Sequence, residues 1–213
     1  MQRLALPLVI VAAVGVSVCL VLLVLRWRRR SRIGQIAFYQ AKAVANELMG
    51  TYYVPGRKLD ERSLRLLTDL PAVQIAEGLF KRALEAQQRG TTDSTGRQLV
   101  VTDENRKNVA ACQIELALLY RIINKFGEAE ELLETARVTV DNLLMNHPDH
   151  QDYLDLESVI LYRLGELNHA QSRFDKARKY YEESREIDSR RGNTGGVKTT
   201  EERLAEIAQS AGG

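Results

Sequence analysis

Hydrophobic and polar positions divide this chain into three textures. From Leu4 to Leu25 the stretch LALPLVIVAAVGVSVCLVLLVL carries no charged residue. At about 1.5 Å rise per residue, a helix of that length spans a hydrocarbon layer of roughly 30 Å. Pro7 falls in its first turn, where a missing N–H breaks no helical bond. Residues 34–50, GQIAFYQAKAVANELMG, place Ile36, Ala41, Val44, Ala45 and Leu48 at helical spacing and predict a short amphipathic helix. Tyr53-Val54-Pro55-Gly56 reads as a turn.

From there apolar residues recur every three or four positions almost to the end. The pattern predicts a helix over Ser63–Gln88, interrupted at Pro71 and stopped by Gly90. RGTTDSTGRQLVV, residues 89–101, reads as an exposed loop. Thr102 or Asp103 caps the next helix, which runs to about Phe126. Further helices are expected to about Asn146, ahead of Pro148, then over Gln151–Gln171 and Phe174–Arg190. Gly192, Gly195 and Gly196 break the chain before a last helix, Thr199–Gln209. No strand pattern competes, so the fold class is all-α. ACQIELALLYRIIN, residues 111–124, is apolar nearly all round, which predicts burial on both sides. TTEERLAEIAQ confines Leu204 and Ile207 to one face, as a solvated terminal cap requires.

The helices come in similar pairs. FGEAEELLETA, from Phe126, matches FDKARKYYEES, from Phe174: Ala129 with Ala177, Leu133 with Tyr181, Ala136 with Ser184. Upstream, LALLY (Leu116 to Tyr120) matches LGELN (Leu164 to Asn168), and AEGLFKRA repeats the second half through Ala76, Phe80 and Ala83. These residues resemble tetratricopeptide repeats. Leu161, Leu164, Gly165, Phe174, Ala177, Tyr181 and Ser184 follow the family's pattern, as do Leu116, Ala117, Tyr120, Phe126, Ala129, Leu133 and Ala136. The resemblance covers about residues 105–209, and 60–88 weakly. YYEESREIDSRRGNTGGVKTT is similar to the longer repeats of kinesin-light-chain-like proteins. Ala76, Ala129 and Ala177 are spaced by 53 and 48 residues, against a repeat of roughly 34; insertions between helices account for the difference.

The resemblance implies an α-solenoid of about three helical hairpins with a C-terminal capping helix, over residues 59–213. It also implies a concave face lined by first-helix side chains. Ala111, Ile114, Leu118 and Arg121 fall there in one hairpin, and Val159, Tyr162, Glu166 and His169 in the next. Ile114, Leu118, Arg121, Val159, Tyr162 and Glu166 are the candidate partner groove, apolar enough for an amphipathic helix. Residues 34–50 of the chain itself are the alternative occupant. At the positions where chaperone-tail-binding repeats carry Lys, Asn and Arg, only Arg163 suits a carboxylate. A carboxylate clamp is not expected.

Charge sharpens the picture at one end. The net charge is +2, yet residues 1–33 hold six arginines and no acid. The remainder is mildly acidic, which argues against a folded basic face for nucleic acid. Arg26, Trp27, Arg28, Arg29, Arg30 and Arg32 directly follow the apolar run, as at a membrane interface. The expectation is a transmembrane anchor over residues 1–33, an amphipathic helix and turn over 34–58, and the repeat domain. The positive-inside rule puts the N-terminus outside and the repeats in the cytoplasm, at a bacterial inner membrane or an organelle membrane. A cleaved signal and a mitochondrial presequence are the rival readings. Small residues at Ala13, Gly15, Ser17 and Cys19 allow self-association of the anchor.

Chemistry is sparse. Cys19 and Cys112 lie in different segments and form no disulfide framework. His147, His150 and His169 lack the convergent ligands of a zinc site. GTTDSTG lacks the lysine of a phosphate loop. No nucleophile–base set is evident, so neither an enzyme nor a cofactor is expected. The function these features point to is a membrane-anchored scaffold or adaptor for a protein partner. The alternative is a small docking or assembly subunit of a larger membrane complex.

Overall fold

Pro71 opens a helix. In the computed structural model, which describes residues 36–43, 46, 61, 68, 71–89 and 102–211, it is the first residue of a segment that runs to Arg89. A proline's fixed φ and absent N–H suit that position. The helices are α1 (36–43), α2 (Pro71–Arg89), α3 (Asp103–Ile122), α4 (Phe126–Asn146), α5 (Gln151–Ala170), α6 (Phe174–Arg190) and α7 (Thr194–Ala211). The described residues are all-α. Thr102 caps α3 as expected: its backbone is extended and its Oγ1 accepts from the Asn105 N–H at 3.2 Å.

Three helix ends share one device. After α3, the Asn124 and Lys125 N–H groups donate back to the carbonyls of Arg121 (3.1 Å) and Tyr120 (2.8 Å). After α5, Ser172 and Arg173 donate to His169 (2.9 Å) and Asn168 (2.9 Å). After α6, Gly192 and Asn193 donate to Ser189 (3.1 Å) and Asp188 (2.8 Å). Asn124, Ser172 and Gly192 are left-handed, at φ 57°, 59° and 71°. This is the Schellman arrangement, which satisfies carbonyls that a helix end would leave open. It turns the chain sharply enough for each helix to fold back on its predecessor.

The last helix starts earlier than its glycines suggest. Gly195 and Gly196 lie inside α7, and Gly192 alone makes the break. Asn193 explains it: its Oδ1 accepts from the Gly196 N–H at 3.1 Å, while its Nδ2 donates to Asp188 Oδ1 at 3.0 Å. A Cβ on Gly196 would stand 2.1 Å from Asp188 Oδ2, so the missing side chain admits the carboxylate.

The helices stack as hairpins, α3 on α4 and α5 on α6. α4 lies against α5, α6 against α7, and α3 against both α2 and α5. The matched residues Ala129, Leu133, Ala136, Ala177, Tyr181 and Ser184 are all buried. At the α5–α6 crossing Ser184 Oγ donates to the Ser158 carbonyl at 3.0 Å, so a hydroxyl serves where the other hairpin uses Ala136. From Ala110 to Ile122, α3 is buried on nearly every side, as its apolar circumference requires. α1 packs on α2 and α3: Ala37 and Ala41 are buried, Phe38 meets Phe80 edge to face at 6.2 Å, and Lys42 pairs with Glu115. Ile36, expected on the buried face of this helix, is 56% exposed. Val44, Ala45 and Leu48 lie outside the described residues.

The expected localisation, a single-pass membrane protein with a cytoplasmic repeat domain, stands corrected. Among the described residues no helix is long and apolar enough to cross a membrane. Residues 4–25, on which that expectation rests, lie outside the described residues, as do the arginines and tryptophan of 26–32 and residues 90–101 of the expected loop.

Candidate functional site: the row of first helices

α3 and α5 are the first members of the two hairpins, and α7 follows in the same alternation. Of the expected groove residues, Ile114 belongs to the main core, and Leu118 and Arg121 are buried as well. Glu166 is 1% exposed, Val159 and Tyr162 half-buried, and His169 7% exposed. Among the described residues these side chains do not make an open apolar trough. Ile114 and Val159 join the packing of the main core. Tyr162, Glu166 and His169 join a charged and aromatic cluster, with Arg121 at its edge.

That cluster is connected. Arg163 Nη1 donates to Glu166 Oε2 at 2.7 Å, and its guanidinium lies 5.6 Å from the Tyr162 ring centroid. The Tyr162 hydroxyl accepts from Arg203 Nε at 3.3 Å. Arg203 Nη1 reaches both Glu206 oxygens, at 2.6 and 2.7 Å. His169 sets its ring edge-on to Phe174 (5.8 Å) and Tyr181 (6.5 Å), and its buried Nδ1 has no hydrogen-bond partner. Burial pushes the His169 imidazole below its usual range; Arg203 and Arg121 add to the effect, while Glu206 and Glu166 oppose it. Burial, then Glu166, raises the Tyr162 phenol. Burial works against the charge on Arg203, but the bonds to Tyr162 and Glu206 outweigh it and hold the guanidinium more firmly protonated. The arrangement can bind through paired charges and an aromatic face.

Arg203 and Glu206 have no place in the groove expected from sequence. Their only local signal is the i,i+3 spacing on the cap helix, beside Leu204. Elsewhere, His147 Nε2 lies 3.2 Å from Asp103 Oδ2, and His150 stacks on Tyr153 at 3.9 Å, tying the α4–α5 turn to the start of α3. Among the described residues no group of three or more His, Cys, Asp or Glu is placed to hold a metal ion. Cys112 is buried, and its thiol is pushed up to about 12 by burial and by Glu115, which removes it as a nucleophile at neutral pH. On the outer side, Lys179, Glu183, Glu186, Arg190, Val197 and Glu201 help line an open charged groove of about 640 Å³ between α6 and α7.

No protein-family model and no curated protein matches this chain.

Proposed function

We propose that this chain is a helical-repeat scaffold or adaptor of the tetratricopeptide type that binds a protein partner through its row of first helices. What supports the family reading is the equivalence of the α3/α4 and α5/α6 hairpins, in their turns and in their buried small and large residues. The observation that carries the binding reading is Tyr162. It is a half-buried aromatic at the middle of the row, flanked by Arg163 and Arg203. Aromatic and arginine side chains dominate binding energy at protein interfaces. A partner segment with an apolar anchor and polar flanks fits an aromatic set among paired charges better than the purely apolar helix that sequence suggests.

Affinity capture with the wild-type chain names the partner, and Tyr162→Ala tests the face. The expected result is capture weakened about tenfold with helicity unchanged. Full capture by a folded Tyr162→Ala chain moves the site to the outer groove between α6 and α7.

A docking or assembly subunit is the second reading. Val138 and Met145, two turns apart on α4, are 60% and 81% exposed. Loss of assembly on Met145→Glu, with Tyr162→Ala harmless, selects this reading.

A further inference from the structure

The C-terminal helix is held by a small core of its own. Ile207 and Leu204 of α7 pack with Ala177, Tyr181, Tyr162 and Phe174, in a cluster separate from the main core. A unit with few buried apolar contacts opens at lower free energy than the body it rests on. His169 stands within this junction, its ring against two of the cluster's aromatics, Phe174 and Tyr181.

Every element around His169 presents charge or an aromatic edge to it. α3 contributes Arg121, α5 its own Glu166, α6 the Tyr181 ring, and α7 both Arg203 and Glu206. The two carboxylates are already engaged, Glu166 with Arg163 and Glu206 with Arg203. The residue is more than nine-tenths buried, and its Nδ1 has no hydrogen-bond partner.

We infer that His169 is an acid-sensitive latch: protonation of its buried ring loosens α7 from α5 and α6 while the α3/α4 hairpin stays folded. An added proton places a positive charge in a buried site that offers Nδ1–H no acceptor, and the carboxylates facing it are already paired with guanidiniums. Because the folded-state imidazole titrates below its ordinary value, the unfolded form binds the proton more readily. The latch is therefore fully set above the ordinary histidine pKa of about 6.5 and weakens as the pH falls from there toward the lower folded-state value. Release would uncover Tyr162, Tyr181 and Phe174, an aromatic surface that α7 now covers in part. The inference does not depend on which face binds a partner.

The test is native-state hydrogen exchange on the full chain at pH 7.5, 6.5 and 5.5, expressed as protection factors so that intrinsic exchange chemistry is removed. The α7 amides should lose at least fivefold of their protection between pH 7.5 and 5.5, while α3 and α4 keep theirs. In His169→Gln the α7 protection should not change with pH. An equal loss in His169→Gln, or no loss in the wild type, overturns the latch. If His169→Gln leaves α7 open at every pH, an NMR titration of the wild-type ring decides. A midpoint below the ordinary histidine value of about 6.5 upholds the inference, and one at or above it overturns it.

Discussion

The Tyr181 ring fills the space that a side chain on Gly165 would need. A Cβ built there would stand 2.6 Å from Cδ1 and from Cε1. Tyr181 is fully buried in the α5–α6 hairpin and has nowhere to retreat. Glycine at this position is thus a consequence of helix packing, since both residues sit in regular helix.

Overpacking that crossing should be costly. Gly165→Leu is expected to destabilise by about 1–3 kcal/mol in thermal melts. Ala129→Leu and Ala177→Leu, at fully buried positions, should act in the same direction. Gly127→Ala is the control. It lies in the first turn of α4 with no atom within 4 Å of the added methyl, and should stabilise by up to about 1 kcal/mol. Equal melting shifts for Gly165→Leu and Gly127→Ala would refute the packing.

The helix-ending turns predict two opposite signs. Ser172 is left-handed at φ 59°, where a Cβ is unfavourable, so Ser172→Gly should raise the stability measured by urea denaturation by about 0.5 kcal/mol. Gly192, at φ 71°, should lose about 1 kcal/mol on replacement by alanine. A destabilised Ser172→Gly would mean that the hydroxyl, not the backbone, governs the turn.

Cys112 should resist alkylation. Its Sγ lies 3.5 Å from the Phe80 carbonyl, buried between α2 and α3, with the thiol pushed up to about 12. In the native chain at pH 8, the rate of its reaction with iodoacetamide should be set by opening of the fold. Mild urea should raise it steeply. Reaction at the rate of a free thiol would place Cys112 outside the core.

Glu77 makes the α2–α3 contact sensitive to acid. Burial pushes its carboxyl up, but Lys81, the Tyr120 hydroxyl at 2.9 Å and Lys125 together hold it below the usual range. A depressed folded-state value means the contribution is complete above the ordinary glutamate pKa and is lost as the pH falls through the folded one. Between pH 5 and 3 the wild type should lose more stability than Glu77→Gln, measured by urea denaturation. Parallel curves would show that the ion pair contributes nothing.

Much of the repeat was legible because its causes are local. The spacing of Ala129, Leu133 and Ala136 puts them on one face of one helix, and a matching face recurs at Ala177, Tyr181 and Ser184. Phe174–Arg190 ends where the sequence predicts, since Gly192 supplies the left-handed residue that turn requires. Threonine at 102 marks a helix start for an equally local reason, whereas proline at 71, read as an interruption, opens a helix.

The candidate site was less legible, because its partners come from distant parts of the chain. Sequence places Tyr162 and Glu166 on the inner side of a helix but says nothing of Arg203, 41 residues further on, whose guanidinium reaches the Tyr162 hydroxyl. Gly195 and Gly196 read as breakers until Asp188, at the end of the preceding helix, is seen in the space beside Gly196. By itself the sequence determined the helical period, the caps and the residues able to bury a face, since each depends on neighbours within a turn or two. The tertiary structure alone decided which first-helix side chains lie within the core and which charges are brought together. Those outcomes depend on where one helix crosses another.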